Sequence, residues 1–189
     1  SVGFHAVSRG QITDNEYVMV IGCGMIGREH IERIQNRIRG AQVVAVCDVF
    51  EEGAKKGAEI AGAGTKVYTD FNEAINDPDV NAVVVTTPGQ FHKGPVLAAI
   101  KAGKPVFCEK PLATTLEDAK KVVEAEKASG KHLLQIGFMR RFDPDYIKMK
   151  KILDSGELGA PLMAHCMKNE KQGTSTVKGL QILRMDNKP

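Results

Sequence analysis

The residues that could do chemistry fall in two places. The first is Gly22-Cys23-Gly24-Met25-Ile26-Gly27, a G-x-G-x-x-G run that follows the apolar stretch YVMVI at 17–21. In such a run Gly22 permits a tight turn, and Gly24 lets the backbone approach a pyrophosphate that a Cβ would obstruct. Gly27 lets the following helix pack close to the strand. Met25 and Ile26 open that helix, whose free N–H groups and positive dipole end suit an anion. Glycines also mark ordinary turns, so context decides. About 20 residues on, Asp48 closes a second apolar run, VVAVC at 43–47, where the dinucleotide fingerprint requires an acid. Asp48 is expected to accept hydrogen bonds from the adenosine ribose hydroxyls, and its charge would repel a 2′-phosphate. Val49 and Phe50 follow with no arginine, so NAD is expected in preference to NADP.

The second place is Glu109-Lys110-Pro111-Leu112, which follows the apolar run PVFC at 105–108. A lysine beside a cofactor cleft can stabilise a developing alkoxide and take part in a proton relay. From the residues alone, a solvated lysine paired with Glu109 is the better reading, since most lysines face water.

These residues need elements to hold them, and the chain supplies a regular series. Apolar runs at 17–21, 43–47, 67–68, 82–86, 105–108 and 133–138 read as strands, with a further strand start at 162–166. Between them, helices are expected over 26–39, 51–61, 71–75, 91–102, 115–129 and 144–154. Ile26, Ile31, Ile34 and Ile38 have the spacing of a buried helix face. Thr114 or Thr115 can cap the helix at 115, and Gly130 ends it. This alternation, with continuous apolar strands, predicts an α/β fold: a doubly wound, mostly parallel sheet covered on both faces. Ligands of such sheets sit beyond the carboxyl ends of the strands. Both places lie there.

The glycine motif, Thr86-Thr87-Pro88, His92, Ala102-Gly103-Lys104-Pro105 and the EKPL segment together resemble the Gfo/Idh/MocA oxidoreductases. The later Gly137-Phe138-Met139-Arg140-Arg141-Phe142-Asp143-Pro144 is similar to the inositol dehydrogenase branch of that family. The resemblance covers roughly residues 17–166. It implies a Rossmann NAD-binding domain and oxidation of a secondary hydroxyl of a cyclic polyol or sugar by hydride transfer to NAD. It implies Lys110 as the catalytic lysine, also close to the cofactor, and a cis peptide before Pro111. Glu109 would orient Lys110 or the nicotinamide ribose, and Thr87 and Pro88 would line the nicotinamide side. His92 opens a helix and reads equally as a structural cap or as a cofactor contact. Met139 and Arg140 would reach the substrate's hydroxyls, since arginine offers a fork of donors; an exposed arginine is the competing reading.

Three segments follow from these readings: a dinucleotide-binding domain at 17–138, the start of a truncated substrate domain at 139–166, and a divergent basic tail at 167–189. Complete members of the family carry a second α/β domain that holds substrate and often builds oligomers. That domain is expected to be largely missing, so a homo-oligomer is expected only of a full-length protein. The family's Asp-x-x-x-His motif belongs to that domain, and no such spacing occurs in the sequence. A catalytically inactive NAD-binding module or partner subunit is therefore the alternative function. A non-nucleotide interaction domain on the same fold is a third.

Composition removes other classes. Net charge is +3 over 189 residues, and residues 167–189 carry five basic groups against two acidic, so the body is neutral. That argues against a nucleic-acid groove. No apolar run of membrane-spanning length and no signal-peptide core is present in the sequence, so no membrane partner and a cytoplasmic location are expected. Cys23, Cys47, Cys108 and Cys166 are widely spaced without a C-x-x-C pair. Reduced, buried thiols are expected rather than disulfides or a metal site.

Overall fold

The computed structural model describes residues 16–159 in full, together with the backbone of Met163–Lys171 and Thr174–Leu183. Two compact units divide between Phe138 and Met139. In the first, β1 (Glu16–Ile21), β2 (Ala41–Cys47), β3 (Lys66–Tyr68), β4 (Ala82–Val85), β5 (Val106–Cys108) and β6 (Leu134–Ile136) form one sheet in the order β3-β2-β1-β4-β5-β6. Every pairing is parallel. Helices α1 (Met25–Arg37), α2 (Glu51–Ala61), α3 (Phe71–Ile75), α4 (Lys93–Lys101) and α5 (Leu116–Ser129) make the crossovers. This is the doubly wound Rossmann order, in which the order of the strands reverses between β1 and β4.

The strands are rich in β-branched residues because both faces of the sheet are covered. Alternation along β1 sends Val18 and Val20 to one face, against Ile31 and Ile34 of α1 and Ala54 and Ala61 of α2. Met19 and Ile21 go to the other, against Ala74 and Ile75 of α3 and Val96, Ala99 and Ile100 of α4. Replacing fully buried Ile31 with alanine would cost about 2–5 kcal/mol, the usual range for emptying such a site. Local chemistry sets the ends. The Thr115 hydroxyl accepts the Asp118 N–H at 3.2 Å to start α5, and Gly130, with φ 66°, ends it.

Two sequence expectations are corrected and a third is extended. Ile26 is not on the buried face of α1: its position in the first turn carries it past the sheet, and it is exposed. The helix expected from residue 91 begins at Lys93, because Gly89–Phe91 forms a 3-10 turn first. The strand expected at 162–166 runs on as β7 (Met163–Lys171) and pairs antiparallel with β8 (Thr174–Leu183). An antiparallel pair can face water, so its strands need no apolar run. Leu162 and the N-terminal residues 1–15 lie outside the described residues.

The second unit also holds a 3-10 turn (Met139–Phe142) and α6 (Pro144–Asp154). Asp143 caps α6 by accepting the Asp145 N–H at 3.1 Å, and Pro144 stands in the first turn, where its missing N–H costs nothing.

Candidate active site

Loops leaving β1 and β4 flank the point where the strand order reverses, and they touch. Gly22 has φ +94°, and a Cβ there would lie 2.7 Å from the Thr87 nitrogen. A Cβ on Gly27 would sit 1.8 Å from the Gly22 carbonyl oxygen. Neither position has room for a side chain. Gly24 differs: nothing lies within 4 Å of where its Cβ would be. The first turn of α1 has no side-chain cap, so its leading N–H groups are left to a ligand. The Thr86 hydroxyl donates to the carbonyls of Ile21 (3.1 Å) and Gly22 (2.6 Å), locking the β4 loop to the glycine loop.

Asp48 does more than begin a loop. Its Oδ2 accepts the Cys23 N–H at 2.7 Å and its Oδ1 accepts the Phe50 N–H at 3.0 Å. A carboxylate accepts about four hydrogen bonds, so capacity remains for hydroxyl donors. Gly53 faces it closely, with a Cβ position 3.3 Å from the Asp48 carboxyl carbon. Met25, Val49 and Phe50 stand about three-quarters exposed (73%, 78% and 75%) after the first two strands.

Beyond β5 the Lys110–Pro111 peptide is cis. The Glu109 N–H is held by the Val85 carbonyl at 2.9 Å. The expected Glu109–Lys110 ion pair is not what forms. Glu109 Oε1 meets His30 Nε2 at 3.0 Å, while Oε2 accepts the backbone N–H of Lys110 at 3.2 Å. Burial alone would raise the Glu109 carboxyl; the His30 contact and the charge of Lys110 overcome that and lower it. The Lys110 side chain is exposed. His30 was not among the residues singled out from the sequence. The available signal was its place one helical turn after Gly27, beside Ile31.

His92 makes no capping hydrogen bond with its side chain. It is 1% exposed, with Nδ1 2.6 Å from the Pro111 carbonyl and Nε2 2.6 Å from the Thr87 carbonyl. Pro88 leads into the 3-10 turn. The Thr87 hydroxyl is buried without a hydrogen-bond partner, which is uncommon enough to call for a ligand. The open ground before Gly24, the uncapped α1 and this hydroxyl together fit a bound dinucleotide. Met139 and Arg140 belong to the second unit. There, the Arg140 guanidinium donates to Asp143 at 2.7 Å and lies 5.2 Å from the Tyr146 ring centroid.

Cys23, Cys47 and Cys108 are free and buried, and burial pushes each thiol up to about 12. Thiols so raised are poor nucleophiles at neutral pH. Cys166 lies outside the described side chains. Among the described residues no group of three or more His, Cys, Asp or Glu could hold a metal, and no helix is long and apolar enough to cross a membrane.

Residues 17–138 match a family model described as an oxidoreductase family with an NAD-binding Rossmann fold. The chain is 49% identical over 164 residues to inositol 2-dehydrogenase of Azotobacter vinelandii, covering 86% of this chain and 48% of that one. It is 50% identical over 147 residues to inositol 2-dehydrogenase of Burkholderia lata, covering 78% and 44%. Among solved structures it is similar to myo-inositol dehydrogenase of Lactobacillus casei in complex with NAD(H) and myo-inositol. That match has a TM-score of 0.79 at 43% identity and covers 82% of this chain and 45% of that one. The chain spans about half the length of the curated relatives it matches.

Proposed function

The chain belongs to the Gfo/Idh/MocA family of NAD-binding Rossmann oxidoreductases, and from that premise we propose that it is the cofactor-binding part of an NAD-dependent dehydrogenase of cyclic polyols, with myo-inositol the first substrate to try. The observation that carries the cofactor half is the Asp48 carboxylate pinned to the Cys23 N–H at 2.7 Å. It sets an acid against the glycine loop where ribose hydroxyls would meet it and a 2′-phosphate would be repelled. The open space at Gly24 and the leading N–H groups of α1 take the pyrophosphate. Met25, Ile26, Val49 and Phe50 offer apolar contact to the adenosine end. The Thr87 hydroxyl, with Pro88 beside it, supplies a polar contact on the nicotinamide side.

Bound NAD supplies the hydride acceptor. The chain's own contribution to the chemistry is Lys110. Its ammonium at Nζ donates a hydrogen bond to the substrate oxygen and stabilises the negative charge that develops there, while the hydroxyl proton passes to a general base, which the family resemblance places in the Asp-x-x-x-His motif of the second domain. Glu109 orients Lys110 through its backbone N–H. Met139 and Arg140 are assigned to the substrate's remaining hydroxyls. Buried, unpaired thiols agree with a reducing compartment, and we assign the protein to the cytoplasm.

Calorimetric titration with NAD and NADP, followed by a myo-inositol turnover assay on the same sample, tests the reading. Saturable NAD binding with NADP much weaker is expected. Binding without turnover would assign these residues the role of an inactive cofactor-binding module, and binding of neither nucleotide would overturn the reading.

A further inference from the structure

Two histidines join the loops at the carboxyl edge, and the proposed reaction uses neither. His30, on α1 behind the glycine loop, holds Glu109 at 3.0 Å and packs its ring on Phe107, centroids 5.5 Å apart. His92, ahead of α4, lies 2.6 Å from the carbonyls of both Pro111 and Thr87. Between these anchors stands Lys110, exposed and with no hydrogen bond to its ammonium among the described residues.

The prolines explain why side chains do this work. Pro88 and Pro111 have no N–H, so the two loops are short of backbone donors with which to pair, and the carbonyls of Thr87 and Pro111 meet the buried His92 ring instead. An imidazole set between two carbonyls supplies a donor to one of them in either neutral tautomer, and to both when each nitrogen carries hydrogen. A buried polar ring is costly to keep unless it is hydrogen-bonded, and no apolar replacement could make these contacts. Lysine's long stem adds its own freedom, so its head group is placed no better than the backbone beneath it.

We propose that His30 and His92 are positioning residues that clamp the Glu109–Lys110–Pro111 strap from both sides. The clamp holds Lys110, the α1 glycine loop and the Thr87 loop as one rigid floor. Its value to catalysis rests on the dehydrogenase reading above.

The conservative variants separate this from general stability. Asparagine at 92 keeps a donor near the Nδ1 position, toward Pro111; glutamine keeps one near Nε2, toward Thr87. Glutamine at 30 keeps the donor to Glu109. Residue-by-residue amide hydrogen exchange on the 189-residue chain, with NAD titration of the same samples, reads the result. His92→Ala and His30→Ala are expected to speed exchange at Lys110, whose N–H is held by Glu109, about five- to tenfold, the scale of one lost hydrogen bond. Met19 and Val46 in the core should not change, and NAD affinity should fall by a similar factor. His92→Asn and His30→Gln should restore slow exchange at Lys110, while His92→Gln should leave it fast. The Asn and Gln variants decide the matter even where alanine unfolds the domain. Unchanged exchange at Lys110, an acceleration shared by the core, or equal behaviour of Asn and Gln at 92 would overturn the clamp. Should the parent chain bind no NAD, the cofactor reading falls, and the exchange pattern still decides the clamp.

Discussion

The two edges of the six-stranded sheet are built on opposite plans. At the amino-terminal edge one cluster around Asp77 is saturated, although Glu16 Oε2 at the start of β1 is buried without a partner. The Asp77 carboxylate accepts from Lys66 Nζ (3.0 and 2.8 Å), from the Tyr68 hydroxyl (2.6 Å) and from the Asp79 N–H (2.9 Å). Lys66 also reaches Asp79 at 2.7 Å, and Lys104 donates to the Asp77 carbonyl at 2.8 Å. At the carboxyl-terminal edge, capacity is left over: open ground at Gly24, a buried Thr87 hydroxyl with no partner, and an exposed Lys110. A satisfied group stabilises the fold and has nothing to offer a ligand; an unsatisfied one is the reverse. The Asp77 cluster therefore serves the fold, the proposed site lies at the opposite edge, and substitutions should sort accordingly.

The largest effect is expected from Lys110→Ala. In a preparation that oxidises myo-inositol, turnover should drop by about 10²–10⁴-fold, the scale of losing one transition-state donor or proton-transfer group. NAD affinity and the melting temperature should stay near the parent values; a large loss of stability would break the division of labour. Gly27→Ala is designed to violate it. A methyl 1.8 Å from the Gly22 carbonyl must move the loop, costing about 1–3 kcal/mol of stability. Denaturant melts should show that loss together with loss of NAD binding.

Asp48→Ser removes a charged acceptor without crowding its neighbours. NAD affinity should fall by about ten- to a hundredfold, corresponding to hydrogen bonds to a charged group. NADP, no longer repelled, should lose less, so paired titrations should show the preference narrowing. An unchanged NAD/NADP ratio would remove Asp48 from the site. The smallest effect belongs to the other edge. Burial raises the Asp77 carboxyl, but Lys66, Tyr68 and the Asp79 N–H outweigh it and hold it at about 2. Because the folded value lies below the unfolded one, its stabilisation is present above about pH 4 and is lost as pH falls toward 2. Thermal melts should weaken across that window in the parent and less so in Asp77→Asn, with NAD affinity at neutral pH the same in both.

Sequence alone determined the frame. Apolar runs and helical spacing are local patterns, set by which side chains must leave water, and they located the six strands. The glycine motif is likewise local. Gly22, Gly24 and Gly27 are needed within one turn, and Asp48 belongs to the next strand end, so spacing along the chain carried them. Ile26 misled because periodicity tells which way a side chain points but not where the sheet stops. The β7–β8 pairing was missed because residues 167–183 carry no long apolar run to signal strands.

Only tertiary structure decided who touches whom. His30 and Glu109 are far apart in the chain and 3.0 Å apart in space. Lys66 and Asp77 meet across a strand, a helix and a loop. Such contacts depend on strand order, which places β1 beside β4 and β4 beside β5. Strand order is set by the packing of whole elements, not by any short stretch of residues. The same reason turned Glu109 away from the Lys110 ammonium and buried His92 between two carbonyls. A charged or polar side chain settles with whichever partner the fold brings near once water is excluded, and a sequence neighbour has no priority in that choice.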